Sequence, residues 1–357
     1  MRRLRLLIVL FIPFGLTLRA ADSPNKLGNV YVVAIGQENG WKFLPEGFER
    51  VVREQTKGLY NGFHSKVLTG EHATRKELLE GVSWMCENAK AGDLVMLFIA
   101  CHGSCNAKGE SVFATRAGQV RPRDIKSLLA KIPCHAIVVN DACCSGNWPK
   151  ELEGDPMPPN VTALCCCLST QVSGIEFDIA LFEALYGKAD YNKDGIVDLD
   201  ETIKYCAARI REVQGGKLTP VLHKAKNLKG PVPLTKVNPN MVSVVKGREV
   251  YSAFVEKKDG ENYEVRVIGF NDHPGPFHIT RKYTRDNVIL PKDGTPLMVR
   301  KENGWHPAVL LQSKGDDYMV RYVAKDAGQE GVPGERIRHL FAVKPNEDIP
   351  KGLFRSK

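Results

Sequence analysis

No cysteine precedes Cys86 and none follows Cys206 in this chain of 357 residues. The lack of an early cysteine excludes a lipid-attachment site near the N-terminus. The uneven distribution of the cysteines also divides the chain into a cysteine-containing region and a cysteine-free C-terminal region. Long disordered tracts are not expected, because 43% of the residues are hydrophobic and 25% are charged. The chain is longer than one ordinary domain of about 100–200 residues, so the sequence predicts more than one domain.

The sequence also lacks a strongly basic segment. Its formal charge is +9, but four arginines lie in residues 1–21, and without them the charge is 9 − 4 = +5. Residues 241–343 hold 16 Lys and Arg against 14 Asp and Glu. Nucleic-acid binding depends on a concentrated positive surface, so we expect no nucleic-acid partner.

The N-terminal apolar run is shorter than the about 20 residues that a membrane span needs. Residues 1–21 combine arginines, an apolar stretch that contains Pro13 and Gly15, and the small residues Ala20 and Ala21. This order is typical of a secretory signal peptide cleaved after Ala20 or Ala21, and an uncleaved anchor is the alternative. We expect an exported protein, secreted or periplasmic, without a stable membrane span.

The ten cysteines lie largely in apolar stretches such as residues 164–168. In an exported protein they could form disulfides, but thiols in apolar runs behave as small buried hydrophobic groups. We therefore favour free, buried cysteines. Their spacing does not match a structural zinc site.

Strand-like and helix-like stretches alternate over residues 28–228. Between the strands, helical spacing recurs, and Thr74 and Glu77 form a capping box at the start of one helix. Four stretches are typical of buried strands, at residues 29–35, 94–100, 136–140 and 163–169, and the run at 94–100 is apolar throughout, as in a strand covered on both faces. The pattern predicts an α/β domain with a mostly parallel sheet and helices on both faces.

Two short motifs follow two of these strands, Ala-Cys-His-Gly at 100–103 and Asp-Ala-Cys-Cys-Ser-Gly at 141–146. A thiol attacks a carbonyl group as the thiolate, so the chemistry requires an imidazole beside the sulfur. Neighbouring parallel strands end at the same edge of a sheet, so we expect His102 and Cys143 side by side as a catalytic pair. The backbone N–H groups of Gly103 and Cys143 are the predicted oxyanion hole. The alternative is a histidine and a buried thiol without catalytic chemistry.

Residues 190–201 match a twelve-residue calcium loop at every ligand position, with Gly195 at the sharp turn. The predicted ligands supply only oxygen atoms and are Asp190, Asn192, Asp194, Ile196 through its carbonyl, Asp198 and Glu201. Calcium prefers such hard ligands, and an extracellular loop of this kind binds at about 10⁻⁴–10⁻³ M, so we expect a structural or permissive calcium ion. A polar turn without metal is the alternative.

Prolines and glycine predict a linker at residues 229–240. Beyond it, residues 246–267 and 301–323 align at a shift of 55, which indicates an internal repeat. Each copy predicts four or five short strands, typical of a small barrel. The predicted segments are a first β-barrel at 241–291, a second at 295–343 and a tail at 344–357.

The His and Cys motifs resemble those of caspase-type cysteine peptidases (clan CD, family C14), especially the bacterial metacaspase-like members. The resemblance covers residues 29–228 and implies a caspase–haemoglobinase fold, a His102/Cys143 dyad and hydrolysis of peptide bonds. Metacaspases usually have His directly after the nucleophile, where this chain has Cys144. We assign Cys143 because it keeps the family's offset from Asp141, and we expect Cys144 to point into the core.

The same resemblance implies a specificity for basic residues. The Asp141 carboxylate would lie at the floor of the specificity pocket and attract Arg or Lys, and the alternative is that Asp141 only caps its turn. The helix after the first strand has Phe-Glu-Arg at 48–50, where the family has an acidic Asp-Ala pair, so one expected wall of the pocket is absent.

The second repeat resembles SH3-like Tudor or agenet barrels, which often bind cationic or peptide ligands in aromatic cages. Trp305, Tyr318 and Tyr322 are the candidate cage residues, although filling the barrel core is the favoured role for them. The resulting hypothesis is a cysteine endopeptidase whose tandem SH3-like barrels bind a protein or cell-surface ligand. The alternative is a catalytically inactive, caspase-fold binding protein that acts through its barrels.

Overall fold

The computed structural model describes eight stretches of the chain. They are residues 26–37, 43–106, 108–150, 156–174, 176–214, 218–268, 279–323 and 328–340. The predicted signal peptide at 1–21 and the predicted tail at 344–357 lie outside these residues. Within the described stretches, no helix has both the length and the apolar character needed to cross a membrane.

The α-helices of the described residues lie in the first two thirds of the chain. They are α1 (Phe43–Thr56), α2 (Arg75–Asn88), α3 (Pro122–Leu129), α4 (Glu176–Glu183) and α5 (Leu199–Gln214). The predicted capping box is present at α2, where Thr74 Oγ1 accepts the Glu77 N–H at 3.2 Å. Pro45 lies in the first turn of α1, where a proline removes no helical hydrogen bond.

The strands form two groups along the chain. The first group is β1 (Leu27–Gly36), β2 (Tyr60–Leu68), β3 (Leu94–Ala100), β4 (Gly103–Cys105), β5 (Ser111–Thr115), β6 (Gly118–Val120), β7 (His135–Asn140), β8 (Val161–Cys165), β9 (Ile196–Asp198), β10 (Val221–His223) and β11 (Pro233–Lys236). The second group is β12 (Met241–Lys246), β13 (Glu249–Asp259), β14 (Asn262–Val267), β15 (Ile279–Thr284), β16 (Val288–Ile289), β17 (Thr295–Lys301), β18 (Gly304–Lys314), β19 (Asp317–Tyr322), β20 (Gln329–Pro333) and β21 (Ile337–His339).

A six-stranded sheet with the order β10-β8-β7-β3-β1-β2 is the centre of the first group. Its neighbouring strands are parallel, except that β10 is antiparallel to β8. Every residue of β3 is buried, as expected for a strand that is covered on both faces. The fold is therefore α/β with a mostly parallel sheet, which confirms that part of the sequence prediction.

Alternating side chains of β1 enter two separate apolar cores, as the two-residue period of a strand requires. Val32 packs in one core with residues of α1, α4 and α5. Val33 packs in the other core with residues of α2 and α3. Helices therefore cover both faces of the six-stranded sheet, and the burial of each aliphatic side chain stabilises the fold by about 1.5–3 kcal/mol.

The strand predicted at 163–169 is β8, which begins two residues earlier and ends at Cys165. Beyond β8 the chain turns, because the Leu168 carbonyl accepts the Gln171 N–H at 3.1 Å. An apolar run shows that a segment is buried, but it does not show where the segment leaves the sheet.

Helix α4 ends its regular part at Glu183 and continues as a wider turn over Ala184–Lys188. Gly187 has a left-handed φ of 122° in this turn, and a Cβ there would lie 2.8 Å from Val237 Cγ1. Glycine is therefore required at position 187 both by the backbone conformation and by the close approach of the chain.

Strand β9 lies inside the predicted calcium loop and pairs in antiparallel fashion with β11. Strand β11 belongs to the segment predicted as a linker at 229–240. Its residues Leu234 and Thr235 are 2% and 0% exposed. Part of this segment is thus a buried strand rather than a free tether.

The second group of strands forms two antiparallel sheets, each of five strands. Strands β13 and β14 recur as β18 and β19 at a shift of 55 residues. The long strands β13 and β18 also have a register irregularity at equivalent places, between Val255 and Lys257 in β13 and between Leu310 and Gln312 in β18. The repeat predicted from the sequence is therefore present in the structure, including its bulge.

Buried polar contacts join the first of these five-stranded sheets to the α/β part. The Glu183 carboxylate, which is 1% exposed, accepts hydrogen bonds from Ser252 Oγ at 2.9 Å, Tyr205 Oη at 2.9 Å and Arg209 Nε at 2.8 Å. Because three donors surround this carboxylate, its buried charge is well compensated.

Candidate active site

The His and Cys motifs lie at the same edge of the six-stranded sheet. Strands β3 and β7 are parallel neighbours, with Ile99 opposite Asn140. The Asp141 N–H donates to the Ile99 carbonyl at 2.7 Å and extends this pairing beyond the end of β7. The loops that follow Ala100 and Asn140 therefore leave the sheet side by side, as predicted.

Gly103 brings the two loops into direct contact. A Cβ at Gly103 would lie 2.0 Å from the Cys143 carbonyl oxygen and 2.9 Å from Ala142 Cβ, so only glycine fits there. His102, the residue before this contact, is exposed, and Cys143 is half-buried. The His102 carbonyl accepts the Ala114 N–H at 2.8 Å, which fixes the histidine loop to β5.

Cys144 has a left-handed backbone conformation with a φ of 59°. Among the described residues other than glycine, only Lys193 shares a positive φ, and such conformations cost about 1–3 kcal/mol. The Cys144 N–H donates to the Gln171 carbonyl at 2.9 Å, and the Cys144 carbonyl accepts from Ser111 Oγ at 2.5 Å. These bonds hold a tight turn directly after Cys143.

The Cys144 side chain is half-buried, as that of Cys143 is, and does not lie in the core as expected. Burial, followed by the neighbouring thiols of Cys105, Cys167 and Cys143, raises the pKa of Cys144. A raised pKa disfavours the thiolate, so the environment of Cys144 opposes its use as the nucleophile.

Of the ten cysteines, Cys105, Cys166 and Cys167 also lie around this turn. All ten are free in the structure, six of them are buried, and Cys105 is exposed. Cys105 Sγ lies 3.4 Å from the Ser169 carbonyl oxygen, on the far side of the turn. A hydrogen bond from Cys166 lowers the pKa of Cys167, while burial raises the pKa of Cys166.

Asp141 is buried beneath the turn with an exposure of 3%. Ser173 Oγ donates to Asp141 Oδ1 at 2.8 Å, so residues after β8 form one side of its environment. Burial raises the pKa of Asp141 to about 6. Glu176, at the start of α4, lies beside the same carboxyl group.

Asp178 in α4 is a second acidic residue at this position, and sequence reasoning missed it. It is 0% exposed and lies next to Asp141. Burial and then the charge of Asp141 raise its pKa well above the ordinary value. The available signal was an aspartate between the apolar residues Phe177 and Ile179, a pattern that matches no known motif.

A cleft of about 520 Å³ borders the turn that follows Cys143. Its lining combines the turn, the end of β8 and β10, and includes Gly146, Asn147, Leu168, Ser169, Leu222 and His223. Lys150 and Lys226 also line this cleft, whereas His102, Cys143 and Asp141 do not.

Two residues with left-handed backbone conformations shape the loop 190–201. Lys193 and Gly195 have left-handed φ values of 62° and 85°, and the Gly195 N–H donates to Asp190 Oδ2 at 3.2 Å. Asp190 is 6% exposed, and its Oδ1 has no hydrogen-bond partner among the described residues. An unpartnered buried carboxylate oxygen in a loop of oxygen donors fits the chemistry that calcium requires.

The other acidic side chains of this loop hydrogen-bond to its amides. Glu201 accepts the N–H groups of Tyr191 at 3.0 Å and Asp198 at 3.1 Å, and Asp194 accepts the Ile196 N–H at 2.8 Å. Across the described residues, no three His, Cys, Asp or Glu side chains are grouped so as to hold a metal ion. The donor types and the backbone fit calcium, whereas the side chains do not converge.

The three candidate cage aromatics of the second repeat are partly buried. Trp305, Tyr318 and Tyr322 each pack against an apolar cluster. Lys301 Nζ lies 3.7 Å from the ring centroid of Tyr322, whose hydroxyl donates to Glu330 at 2.7 Å. The ring face of Tyr322 is therefore already in contact with a cation of the same chain.

No family model matches the chain, and no curated protein matches it. Among solved structures, the protein GSU0716 from Geobacter sulfurreducens is similar at 14% sequence identity and a TM-score of 0.43. The match covers 56% of this chain and 95% of that protein. At this level of similarity, neither a fold family nor an activity follows.

Proposed function

We propose that the protein is a cysteine endopeptidase of the caspase type, with His102 and Cys143 as its catalytic pair. The main observation that supports this proposal is the contact of Gly103 with the Cys143 carbonyl oxygen. A Cβ at position 103 would lie only 2.0 Å from this oxygen. It brings the loops of a candidate base and a candidate nucleophile together at one sheet edge. The mostly parallel six-stranded sheet supports a caspase–haemoglobinase-like fold for residues 28–228.

In the proposed reaction, the His102 imidazole accepts the proton of the Cys143 thiol. The thiolate attacks the peptide carbonyl carbon, and the N–H groups of Gly103 and Cys143 stabilise the oxyanion. The C–N bond then breaks as His102 returns the proton to the leaving amine. Water hydrolyses the thioester with His102 as the base, which releases the acid and restores the thiol.

The proposed specificity is for Arg or Lys at the cleaved position. Asp141 supports it, because this buried carboxyl group lies directly below the turn that carries Cys143 and has no basic side chain among its strongest interactions. A cationic substrate side chain would supply the missing counter-charge.

Calcium is the proposed cofactor of loop 190–201, held by Asp190, Asn192, Asp194, the Ile196 carbonyl, Asp198 and Glu201. The ion would supply positive charge that cross-links the end of α4 with the start of α5. The two five-stranded sheets are proposed to be SH3-like barrels that bind a protein or cell-surface ligand of the exported protein.

Labelling with a peptide electrophile that ends in Arg tests the peptidase proposal. We expect covalent modification of Cys143 by mass spectrometry and hydrolysis of fluorogenic peptides with Arg at the cleaved position. Cys143→Ala should abolish both, and Cys144→Ala should retain both. Cys105→Ala is the matched control, because it removes the exposed thiol that would react non-specifically.

Three results would contradict the proposal. Modification of Cys144 instead of Cys143 would move the nucleophile, and a preference for Asp at the cleaved position would remove the role of Asp141. Absence of both labelling and hydrolysis, with and without calcium, would favour a binding protein that acts through its C-terminal sheets.

A further inference from the structure

Asp141 and Asp178 form a pair of buried carboxyl groups beneath the candidate active site. Their exposed fractions are 3% and 0%. Asp141 follows β7, whereas Asp178 lies in α4, so the fold rather than the local sequence brings them together. Two acidic groups that share a buried site do not both ionise, because each charge disfavours the other.

Three of the four carboxyl oxygens in this pair lack a hydrogen-bond donor. They are Asp141 Oδ2, Asp178 Oδ1 and Asp178 Oδ2. The fourth, Asp141 Oδ1, accepts the Ser173 hydroxyl at 2.8 Å. Carboxylates only accept hydrogen bonds, so two ionised groups would leave these oxygens unsatisfied in the protein interior. One retained proton supplies a donor and removes one of the two charges.

The surroundings of the pair contain acidic groups and thiols. The ionisable side chains that face it are Cys101 at the end of β3, Cys166 after β8, Glu176 in the first turn of α4 and Cys206 in α5. Glu176 lies beside the pair and raises the pKa of both aspartates by charge repulsion. None of these four neighbours carries a positive charge that would favour a second ionised carboxylate.

We propose that Asp178 keeps a proton at neutral pH and donates it to Asp141, so that Asp178 is a positioning residue which fixes a single negative charge on Asp141. This role rests on the proposed function of Asp141 as the floor of the specificity pocket. The donated hydrogen bond, together with that of Ser173, stabilises the ionised form of Asp141. Asp141 then remains available to a cationic substrate side chain.

Two substitutions at position 178 test this role through KM and kcat for an Arg peptide. In Asp178→Asn, the amide N–H₂ can replace the acid proton as the donor, so KM should stay within about twofold. In Asp178→Leu the donor is lost and Asp141 holds a proton more tightly, so KM should rise about tenfold while kcat changes little. Melting temperatures of both variants show that the chain is folded.

The pH profile separates positioning from a structural effect. Burial raises the pKa of Asp141 to about 6, so KM of the unsubstituted protein should increase as the pH falls through this value. Asp178→Asn should keep this profile, and Asp178→Leu should shift it to higher pH, because the lost hydrogen bond had favoured the ionised form. An equal loss in Asp178→Asn and Asp178→Leu would overturn the proposal, since it would require Asp178 to act as a charge.

Infrared difference spectroscopy tests the proton without any turnover. At neutral pH, the carbonyl stretching band of a protonated carboxylic acid should be present in the unsubstituted protein and absent from Asp178→Asn. If the protein hydrolyses no peptide but shows this band, the peptidase proposal fails and the proton assignment stands. If peptides are hydrolysed and the band is absent, the assignment of the proton to Asp178 fails.

Discussion

Gly103 approaches the Cys143 carbonyl oxygen so closely that a Cβ at position 103 would lie 2.0 Å from it. Gly103→Ala must therefore displace the histidine loop from the cysteine loop. We expect a decrease in kcat/KM for an Arg peptide of about 100-fold, because misplacement by about 1 Å of paired catalytic groups has effects of this size.

Gly331→Ala is the matched control for this substitution. A Cβ at Gly331 meets no atom within 4 Å, and the residue lies in β20, outside the α/β part. The control should keep full activity. Full activity of Gly103→Ala as well would show that the two loops do not act together.

Glu183→Ala is expected to destabilise the protein strongly. Glu183 is 1% exposed, and the Arg209 side chain that it binds is 12% exposed. The substitution breaks this buried ion pair and removes the acceptor of Tyr205 and Ser252, although Arg209 keeps its ion pair with Glu212 at 3.0 Å. Breaking a buried ion pair in this way costs about 3–5 kcal/mol. The free energy of unfolding from denaturant titration measures the loss.

Ser252→Ala measures the part of this effect that comes from the contact between α4 and the first five-stranded sheet. It removes only the hydrogen bond from Ser252 Oγ to Glu183, so a loss of about 1 kcal/mol is expected. Glu261→Gln, at an exposed turn, should change the unfolding free energy very little. A cost for Glu183→Ala no larger than that for Glu261→Gln would contradict the buried network.

Calcium should bind to loop 190–201 and raise the melting temperature. With a dissociation constant of about 1 mM, calcium at about 10 mM would stabilise the folded protein by about 1.4 kcal/mol. Asp194→Ala should abolish both the calorimetric heat and the thermal shift. Asp200→Ala is the control, because Asp200 lies in the same segment but pairs with Lys224 at 2.5 Å. Retained binding in Asp194→Ala would exclude this loop as the calcium site.

Acid should destabilise the protein through His135. Burial lowers the pKa of His135 to about 4 from 6.5. The unfolded chain therefore binds a proton at a higher pH than the folded chain does. The contribution of His135 to the free energy of unfolding is fully present above pH 6.5 and is lost as the pH falls towards 4. This contribution is about 3 kcal/mol.

His135→Gln removes this titrating group and should reduce the loss of unfolding free energy between pH 7 and pH 4.5. Asp141 has a raised pKa and acts in the opposite direction over this range, so the difference between the two proteins isolates His135. His64→Gln, at an exposed position, is the control. Identical pH dependence in His135→Gln and the unsubstituted protein would refute the assignment.

The shared edge of the His and Cys motifs was predictable because largely apolar runs mark buried parallel strands, and such strands end together. The repeat was predictable because matched residues recur at a constant shift, which the paired strands follow. Both inferences depend on patterns that are local in sequence.

Contacts between distant segments could not be predicted in this way. Asp178 has no motif around it, and its chemical meaning arises only from its proximity to Asp141. The left-handed conformation of Cys144 is a backbone property, so the side-chain pattern placed its thiol in the core. The composition of residues 229–240 indicated a linker, but the pairing of β11 depends on β9, which no property of the segment itself reveals.

The pairing of β11 with β9 determines what a proteolytic cut after Lys229 would do. The cut would break one peptide bond, while β11 would stay paired with β9 and Ser252 would stay bonded to Glu183. The two fragments would separate on a denaturing gel and migrate as one particle in size-exclusion chromatography. Continuity of the chain at this position is therefore not what keeps the C-terminal sheets attached to the α/β part.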